Sequence, residues 1–150
     1  MQRRRFLQGV MSGGVAATLA TLFPQAVLAD WPEAAFSSKT VEDAVKALVG
    51  STDSTKGKVN IKAPEIAENG AVVPIKVSTD LADIESINII AEGNSSPLIA
   101  NFNFTGGSAG YVSTRIKLGK TQQVTAIVKA GGKLYSASQN VKVTVGGCGG

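Results

Sequence analysis

Apolar and polar residues alternate along most of the chain beyond residue 58. A period of two is typical of β-strands, in which successive side chains point to opposite faces of a sheet. Residues that favour turns interrupt the alternation at short intervals, so the runs form separate strands. The pattern predicts about seven strands: Val59–Ala63, Val72–Thr79, Ile84–Glu92, Leu98–Phe104, Tyr111–Leu118, Gln123–Ala130 and Lys133–Val145.

The last predicted strand shows this alternation over its final residues. Val141, Val143 and Val145 fall on one side of the strand, and Lys142 and Thr144 fall on the other. One face of the strand is therefore expected to be buried and the other to face solvent.

Turn residues between the strands favour antiparallel pairing. Asn69-Gly70 and Gly131-Gly132 supply residues that tolerate positive φ, as two-residue hairpin loops require. Pro74 lies inside a predicted strand and cannot donate a backbone hydrogen bond, so that strand is expected to be an edge strand or to carry a bulge. The fold class that fits is an all-β, immunoglobulin-like antiparallel sandwich of about seven strands.

A short helix is predicted ahead of the strands. Thr40 is a suitable N-cap, Glu42 and Asp43 fall in the first turn, and Gly50 ends the helical pattern. Apolar residues recur between these limits at helical spacing, so one face of the helix should pack on the domain. The flanking segments, residues 30–38 and 51–58, are expected to be an extended lead-in and a polar connection.

The first 29 residues are typical of an export signal. The segment "RRRFLQG" (Arg3 to Gly9) has the twin-arginine pattern, a weakly apolar stretch follows, and Ala29 suits cleavage before Asp30. An uncleaved membrane anchor is the alternative, but the apolar run is shorter than the roughly 18 residues that a spanning helix needs. The expected organisation is a cleaved signal (1–29), a β-sandwich domain with an N-terminal helix (30–145) and a tail (146–150) in a periplasmic protein.

Charge and composition exclude several functions. The full chain has 15 basic and 11 acidic residues and a net charge of +4. Cleavage would remove Arg3, Arg4 and Arg5 and lower the charge to +1, so nucleic-acid binding is not expected. The chain has no histidine, which excludes Cys-His and Ser-His catalytic pairs and imidazole metal ligands.

Metal and cofactor sites are not expected either. A single cysteine can form neither an internal disulfide nor a multi-thiolate zinc site. Among the carboxylates, Asp80, Asp83 and Glu85 come nearest to a cluster, and their spacing indicates a solvated turn.

The only cysteine, Cys148, lies two residues from the end of the chain, with glycines at 146, 147, 149 and 150. Glycine leaves the backbone slim and free, so we expect a mobile arm that reaches about 10 Å beyond the last strand. Nothing in the tail would lower the pKa of a thiol. Three roles remain open: a frayed end that forms an intermolecular disulfide, a self-sufficient thiol enzyme such as a peroxidase, and an arm that carries a substrate covalently.

The terminal "VKVTVGGCGG" resembles the SoxY family of sulfur carriers. The similarity also includes "PEIAENGAVVPIKV" (Pro64 to Val77) and "STRIKLGKTQQVTAIVKAGGKLYSASQNVKV" (Ser113 to Val143). One departure is "EGNSSPLIANF" (Glu92 to Phe102), since the family tends to have proline directly after the asparagine.

The resemblance implies a carrier subunit that is not itself an enzyme and needs no cofactor of its own. Cys148 would hold sulfur intermediates of thiosulfate oxidation and swing on Gly146, Gly147, Gly149 and Gly150. The implied partners are a small SoxZ-like sandwich subunit in a heterodimer, a c-type cytochrome that conjugates thiosulfate to the cysteine, and a manganese-dependent hydrolase that releases sulfate. A sulfane dehydrogenase would be a further partner.

Overall fold

A computed structural model describes residues 32–144 of the chain. Two short helices come first, α1 (Glu33–Ser37) and α2 (Val41–Val49). The rest of the described chain is built of strands: β1 (Thr55–Lys56), β2 (Asn60–Lys62), β3 (Ile66–Ala67), β4 (Val73–Ser78), β5 (Ile84–Ala91), β6 (Leu98–Asn103), β7 (Tyr111–Ile116), β8 (Gln122–Ala130) and β9 (Lys133–Val143).

The strands form two packed sheets. The larger has the order β1-β9-β8-β5-β6, with β3 also paired to β9, and the smaller has the order β2-β4-β7. The long strands all pair antiparallel, whereas the two-residue strands β1 and β3 pair parallel to β9. The predicted antiparallel sandwich is therefore confirmed, and each of its seven predicted strands is present.

The main core lies between the two sheets and follows the alternation in the sequence. On β4 the side chains of Val73, Ile75 and Val77 are fully buried, while Pro74 and Lys76 between them are exposed. On β9 Val141 is buried and Lys142 is exposed, as predicted, and Val143 packs at the edge of the same core. Val145 lies outside the described residues.

A second apolar cluster lies on the other side of the larger sheet, beneath the helices. Ala44 and Val45 of α2 are buried against outward-facing residues of the sheet, among them Ile90, Ile127 and Leu134. Because β5 is covered by the core on one face and by the helices on the other, residues 86–91 are buried without interruption. The domain thus has three layers: helices, six-stranded sheet and three-stranded sheet.

The caps predicted for α2 are confirmed. The Thr40 hydroxyl accepts a hydrogen bond of 3.1 Å from the backbone N–H of Asp43, which satisfies a free donor of the first turn. At the other end Gly50 has φ of 78°, and its N–H donates to the carbonyl oxygen of Lys46. A residue in this left-handed conformation is the usual stop of a helix, and glycine adopts it without steric cost.

The extended lead-in expected before α2 is wrong for residues 33–37, which form α1. The Pro32 carbonyl accepts hydrogen bonds from the N–H groups of Ala35 and Phe36. Proline suits the start of a helix and alanine is the strongest helix former. Because Ala35 is fully buried, packing against the rest of the helical layer stabilises a segment that is too short to be helical alone.

The polar connection predicted for residues 51–58 is also incorrect in part, because it contains β1. Thr55 and Lys56 pair with Tyr135 and Ser136 of β9, and the Ser54 and Ser136 hydroxyls lie 2.9 Å apart. Two residues cannot show a period of two in sequence, so the tertiary contact with β9 decides their conformation.

Of the two predicted hairpin loops, Gly131-Gly132 is confirmed and Asn69-Gly70 is wrong. Gly131 and Gly132 have φ of 54° and 71° and join β8 to β9. Gly70 does not have positive φ, and the strands on either side of it lie in different sheets. This glycine is needed for close packing instead, since a Cβ there would overlap the carbonyl oxygen of Leu118.

The edge position predicted for the strand containing Pro74 is wrong. β4 is the central strand of the smaller sheet, between β2 and β7, with no register shift against β7. However, β2 pairs only with residues 76–78 of β4. Pro74 therefore pairs only with Arg115 of β7. Among the described residues no strand lies on its other side, so the missing N–H leaves no ladder hydrogen bond unmade there.

Candidate functional site

The predicted site residues, Cys148 and the glycines at 146, 147, 149 and 150, lie outside the described residues. Thr144 is the last described residue, four positions before the cysteine. The structure therefore shows the base from which the tail leaves the domain. That base consists of the end of β9 and the loops packed around it, which share one end of the sandwich.

The end of β9 is held by hydrogen bonds on both sides. On one side the N–H groups of Lys142 and Thr144 donate to the carbonyl oxygens of Glu65 and Ala67, at 2.9 and 3.1 Å. On the other side the N–H of Val143 donates to the Thr121 hydroxyl at 2.9 Å. These hydrogen bonds therefore fix the chain as far as Thr144, the last described residue.

An asparagine joins the two loops next to this base. The Asn94 side chain donates to the carbonyl oxygen of Lys117 at 2.8 Å and accepts from the N–H of Gly119 at 3.2 Å and from the Gln122 amide at 2.9 Å. Gln122 in turn accepts from the N–H of Gly93 at 2.6 Å. These bonds fix a loop in which Ser95 replaces the proline expected from the resemblance.

Two open grooves border the base of the tail. The larger, about 450 Å³, lies along the braced loops, where Lys117, Lys120 and the Ser95 hydroxyl offer cationic and hydrogen-bonding groups to an anion, whereas the Ser96 hydroxyl donates to the carbonyl oxygen of Phe36. Its lining consists of Gly93, Asn94, Ser95, Ser96, Leu98, Ile99, Lys117, Gly119 and Lys120. The smaller, about 330 Å³, lies beside β9 and is lined by Glu65, Ile66, Gln139, Asn140 and Lys142.

The carboxylates at the opposite end of the sandwich fall into two groups. Asp80 and Asp83 are exposed in the turn before β5, as expected for a solvated turn. Glu85 instead lies on β5, where it forms an ion pair of 2.8 Å with Lys129 and accepts from the N–H of Gly132. The hydrogen bond from Lys129, followed by the one from Gly132, lowers the pKa of Glu85 below its ordinary value of 4.5.

Within residues 32–144 no three His, Cys, Asp or Glu side chains lie close enough together to hold a metal ion. Over the same range no helix is both long and apolar enough to cross a bilayer. What this end of the domain provides is a rigid base and polar grooves beside it.

The residues that brace the loops, Asn94 and Gln122, were not predicted from the sequence. Their bonds join residues 23 to 29 positions apart, across loops where no periodicity exists. The polar pair Gln122-Gln123 at the start of β8 was a weak signal. Gln122 is buried at a position where an apolar side chain is usual.

Comparison with known proteins places this geometry in context. The family model of the sulfur oxidation protein SoxY matches residues 45–148. The solved structure of the sulfur carrier protein SoxY from Chlorobium limicola f thiosulfatophilum is 41% identical, with a TM-score of 0.65, and the match covers 71% of this chain and 97% of that one. No curated protein sequence matches significantly.

A second solved structure, the superoxide reductase (neelaredoxin) from Ignicoccus hospitalis, is 21% identical over 59% of this chain and 81% of its own, with a TM-score of 0.49. The match to the SoxY family model is more specific, since it extends over most of the chain and includes Cys148. The chain belongs to the SoxY family of sulfur oxidation proteins.

Proposed function

We propose that this protein is the covalent sulfur carrier of a periplasmic thiosulfate-oxidising system, and that Cys148 holds the intermediates while partner enzymes act on them. The observation that carries this proposal is the family match, which runs to residue 148 and so ends on the only cysteine. Membership of the family supports a sulfur carrier role and a non-enzymatic subunit.

The geometry around the tail supports a carrier with a fixed base. β9 is hydrogen-bonded through Thr144, so a moving arm would begin only beyond that residue. Cys148 lies four positions after Thr144, and an extended chain spans about 13 Å over those four steps. The glycines at 146, 147, 149 and 150 would let this arm bend and enter a narrow cleft, since only the thiol projects from it.

The carrier reaction balances with a sulfur–sulfur bond as the attachment. Conjugation would join the Cys148 thiolate to the terminal sulfur of thiosulfate, giving Cys–S–S–SO₃⁻ and passing two electrons, one at a time, to the haems of a c-type cytochrome pair. A manganese-dependent hydrolase would then add water, releasing sulfate and leaving Cys–S–SH. The chain itself lacks a second cysteine that could resolve either adduct, which suits a carrier.

Activation of the thiol is assigned to the partners. An ordinary cysteine is only slightly ionised at neutral pH, and the chain contains no histidine to act as a base. A sulfane dehydrogenase would oxidise the sulfane sulfur that remains on Cys148. A SoxZ-like sandwich subunit would form the heterodimer, and the twin-arginine signal (1–29) would export the folded pair to the periplasm.

Intact mass spectrometry after reaction with thiosulfate and the purified cytochrome tests this function. The mature protein is expected to gain the mass of one S₂O₃ group on the peptide that contains Cys148, and Cys148→Ser should gain nothing. An adduct on the serine variant would refute the assignment. A dimer linked through Cys148 would instead show a doubled mass that reductant reverses, with no small adduct.

The arm itself is tested by stiffening it. Gly147→Pro restricts the backbone beside the thiol without touching the described domain, so conjugation should slow while thermal stability stays unchanged. Rates equal to those of the wild type would contradict a swinging arm.

A further inference from the structure

The outward face of the three-stranded sheet carries a group of cations that form no ion pair within residues 32–144. Lys62 of β2 stands directly opposite Lys76 of β4, and Pro74 of β4 stands opposite Arg115 of β7. Arg115 is therefore a diagonal neighbour of Lys76 on the same face. We call Lys62, Lys76 and Arg115 the basic face.

The fold gains no stability from this arrangement. All three side chains are exposed, and β2, β4 and β7 contain no acidic residue. Within residues 32–144 one ion pair forms. It joins Lys129 to Glu85 and lies on the other sheet. Like charges placed opposite each other across two strands repel, so the basic face is retained at a cost to the folded state.

The position of the basic face links it to the tail. It is the outer side of the sandwich that residues 32–144 leave uncovered, because the helices pack on the other sheet. Just beyond Arg115, the N–H of Leu118 donates to the carbonyl oxygen of Gly70 at 2.7 Å, and a Cβ on Gly70 would lie 2.8 Å from the Val143 side chain. The face therefore extends to the end of the sandwich at which β9 ends.

We propose that the basic face docks an acidic protein surface beside the active-site cleft of the conjugating enzyme. This inference rests on the proposed function and adds the surface by which the carrier is oriented. The three cations are spread over three strands and line neither of the two grooves beside the base of the tail, so they fit an extended acidic surface better than a small anion. Tyr111, 53% exposed on the same face, offers an aromatic contact at its far margin.

The test compares two charge-reversal triples. One changes the basic face: Lys62→Glu, Lys76→Glu and Arg115→Glu. The control makes the same change of net charge at exposed lysines elsewhere: Lys39→Glu, Lys56→Glu and Lys133→Glu. Binding to the purified c-type cytochrome and the rate of adduct formation on Cys148 are measured in parallel, at low and high ionic strength.

The basic-face triple is expected to lose about tenfold or more in kcat/KM at low salt, through KM and not kcat, and to lose most of its salt dependence. The control triple should behave like the wild type. Neutral Lys62→Gln, Lys76→Gln and Arg115→Gln should lie between them, and circular dichroism checks that every variant is folded.

The outcomes separate the two proposals. Equal losses in both triples would show a net-charge effect and overturn the docking surface. A basic-face triple that matches the wild type, or that loses only its binding to the sandwich subunit, would also overturn it. If the wild type binds the cytochrome but gains no adduct, the carrier function fails and the binding data alone decide the docking surface. A wild type that neither binds nor reacts overturns both.

Discussion

The two outer faces of the sandwich differ in what covers them. On the six-stranded sheet, Ile90 and Ile127 point outward and are buried under α2. On the three-stranded sheet, Lys76 and Arg115 point outward into solvent. The covered face adds apolar burial to the stability of the domain, whereas the bare face adds charge that destabilises it. Burial on the covered side stabilises the domain, whereas the bare side is the one for which we propose a docking role.

The largest effect is expected from opening a cavity under the helices. Ile90→Ala removes a fully buried side chain and should lower the free energy of unfolding by about 3 kcal/mol. Ser113→Ala, at an exposed position on the bare face, should change it by less than about 0.5 kcal/mol. Chemical denaturation of both variants checks this difference, and similar losses would remove the distinction between the faces.

A smaller loss is expected from the cap of the helix that covers the sheet. Thr40→Ala leaves the N–H of Asp43 without its hydroxyl acceptor and should cost about 1 kcal/mol. Thr40→Ser keeps the acceptor and should cost much less. Thermal melts of the two variants measure the effect, and an equal loss in both would show that the hydrogen bond is not its source.

The bare face should respond in the opposite direction. Lys76→Thr removes a charge that stands opposite Lys62, so stability should rise by about 0.3 kcal/mol at low salt. Salt screens repulsion between exposed charges, and the gain should therefore disappear at high ionic strength. Melting temperatures across a salt series test this, with Lys133→Thr as a control on the other sheet.

The smallest expected effect depends on pH and belongs to the Lys129–Glu85 ion pair. The pKa of Glu85 is lowered in the folded state, so its contribution is fully present above pH 4.5 and is lost as the pH falls below that value. Glu85→Gln should therefore melt slightly below the wild type at pH 7, and the difference should close in acid. A difference that grows with acid would contradict the assignment.

The period of two in the sequence predicted most of the fold but not the two-residue strands β1 and β3. The six strands β4 to β9 have six or more residues each, long enough for a recognisable strand pattern, and β2 lies inside the predicted run Val59–Ala63. β1 and β3 are two residues long, and both are strands because they lie beside β9. The position of Pro74 was misjudged because sequence does not show that β2 ends before reaching it.

The candidate site also has one part that the sequence predicted and another that it did not. The tail with Cys148 was predicted from its composition and position, because those are properties of a local segment. The brace at Asn94 and the basic face were not, since their residues come together only through strand pairing. The charge distribution held one overlooked signal: Glu92 is the last acidic residue, while basic residues continue to Lys142.

The pairing of β9 on both sides has a mechanical consequence. A pull on the chain beyond Thr144 acts along the strand, whose hydrogen bonds to β8, β1 and β3 lie across that direction. Such a load is shared by many bonds that must shear together, whereas a hairpin pulled apart at its open end would unzip one bond at a time. Traction on the terminal segment would therefore stretch that segment before it peeled the last strand from its sheet.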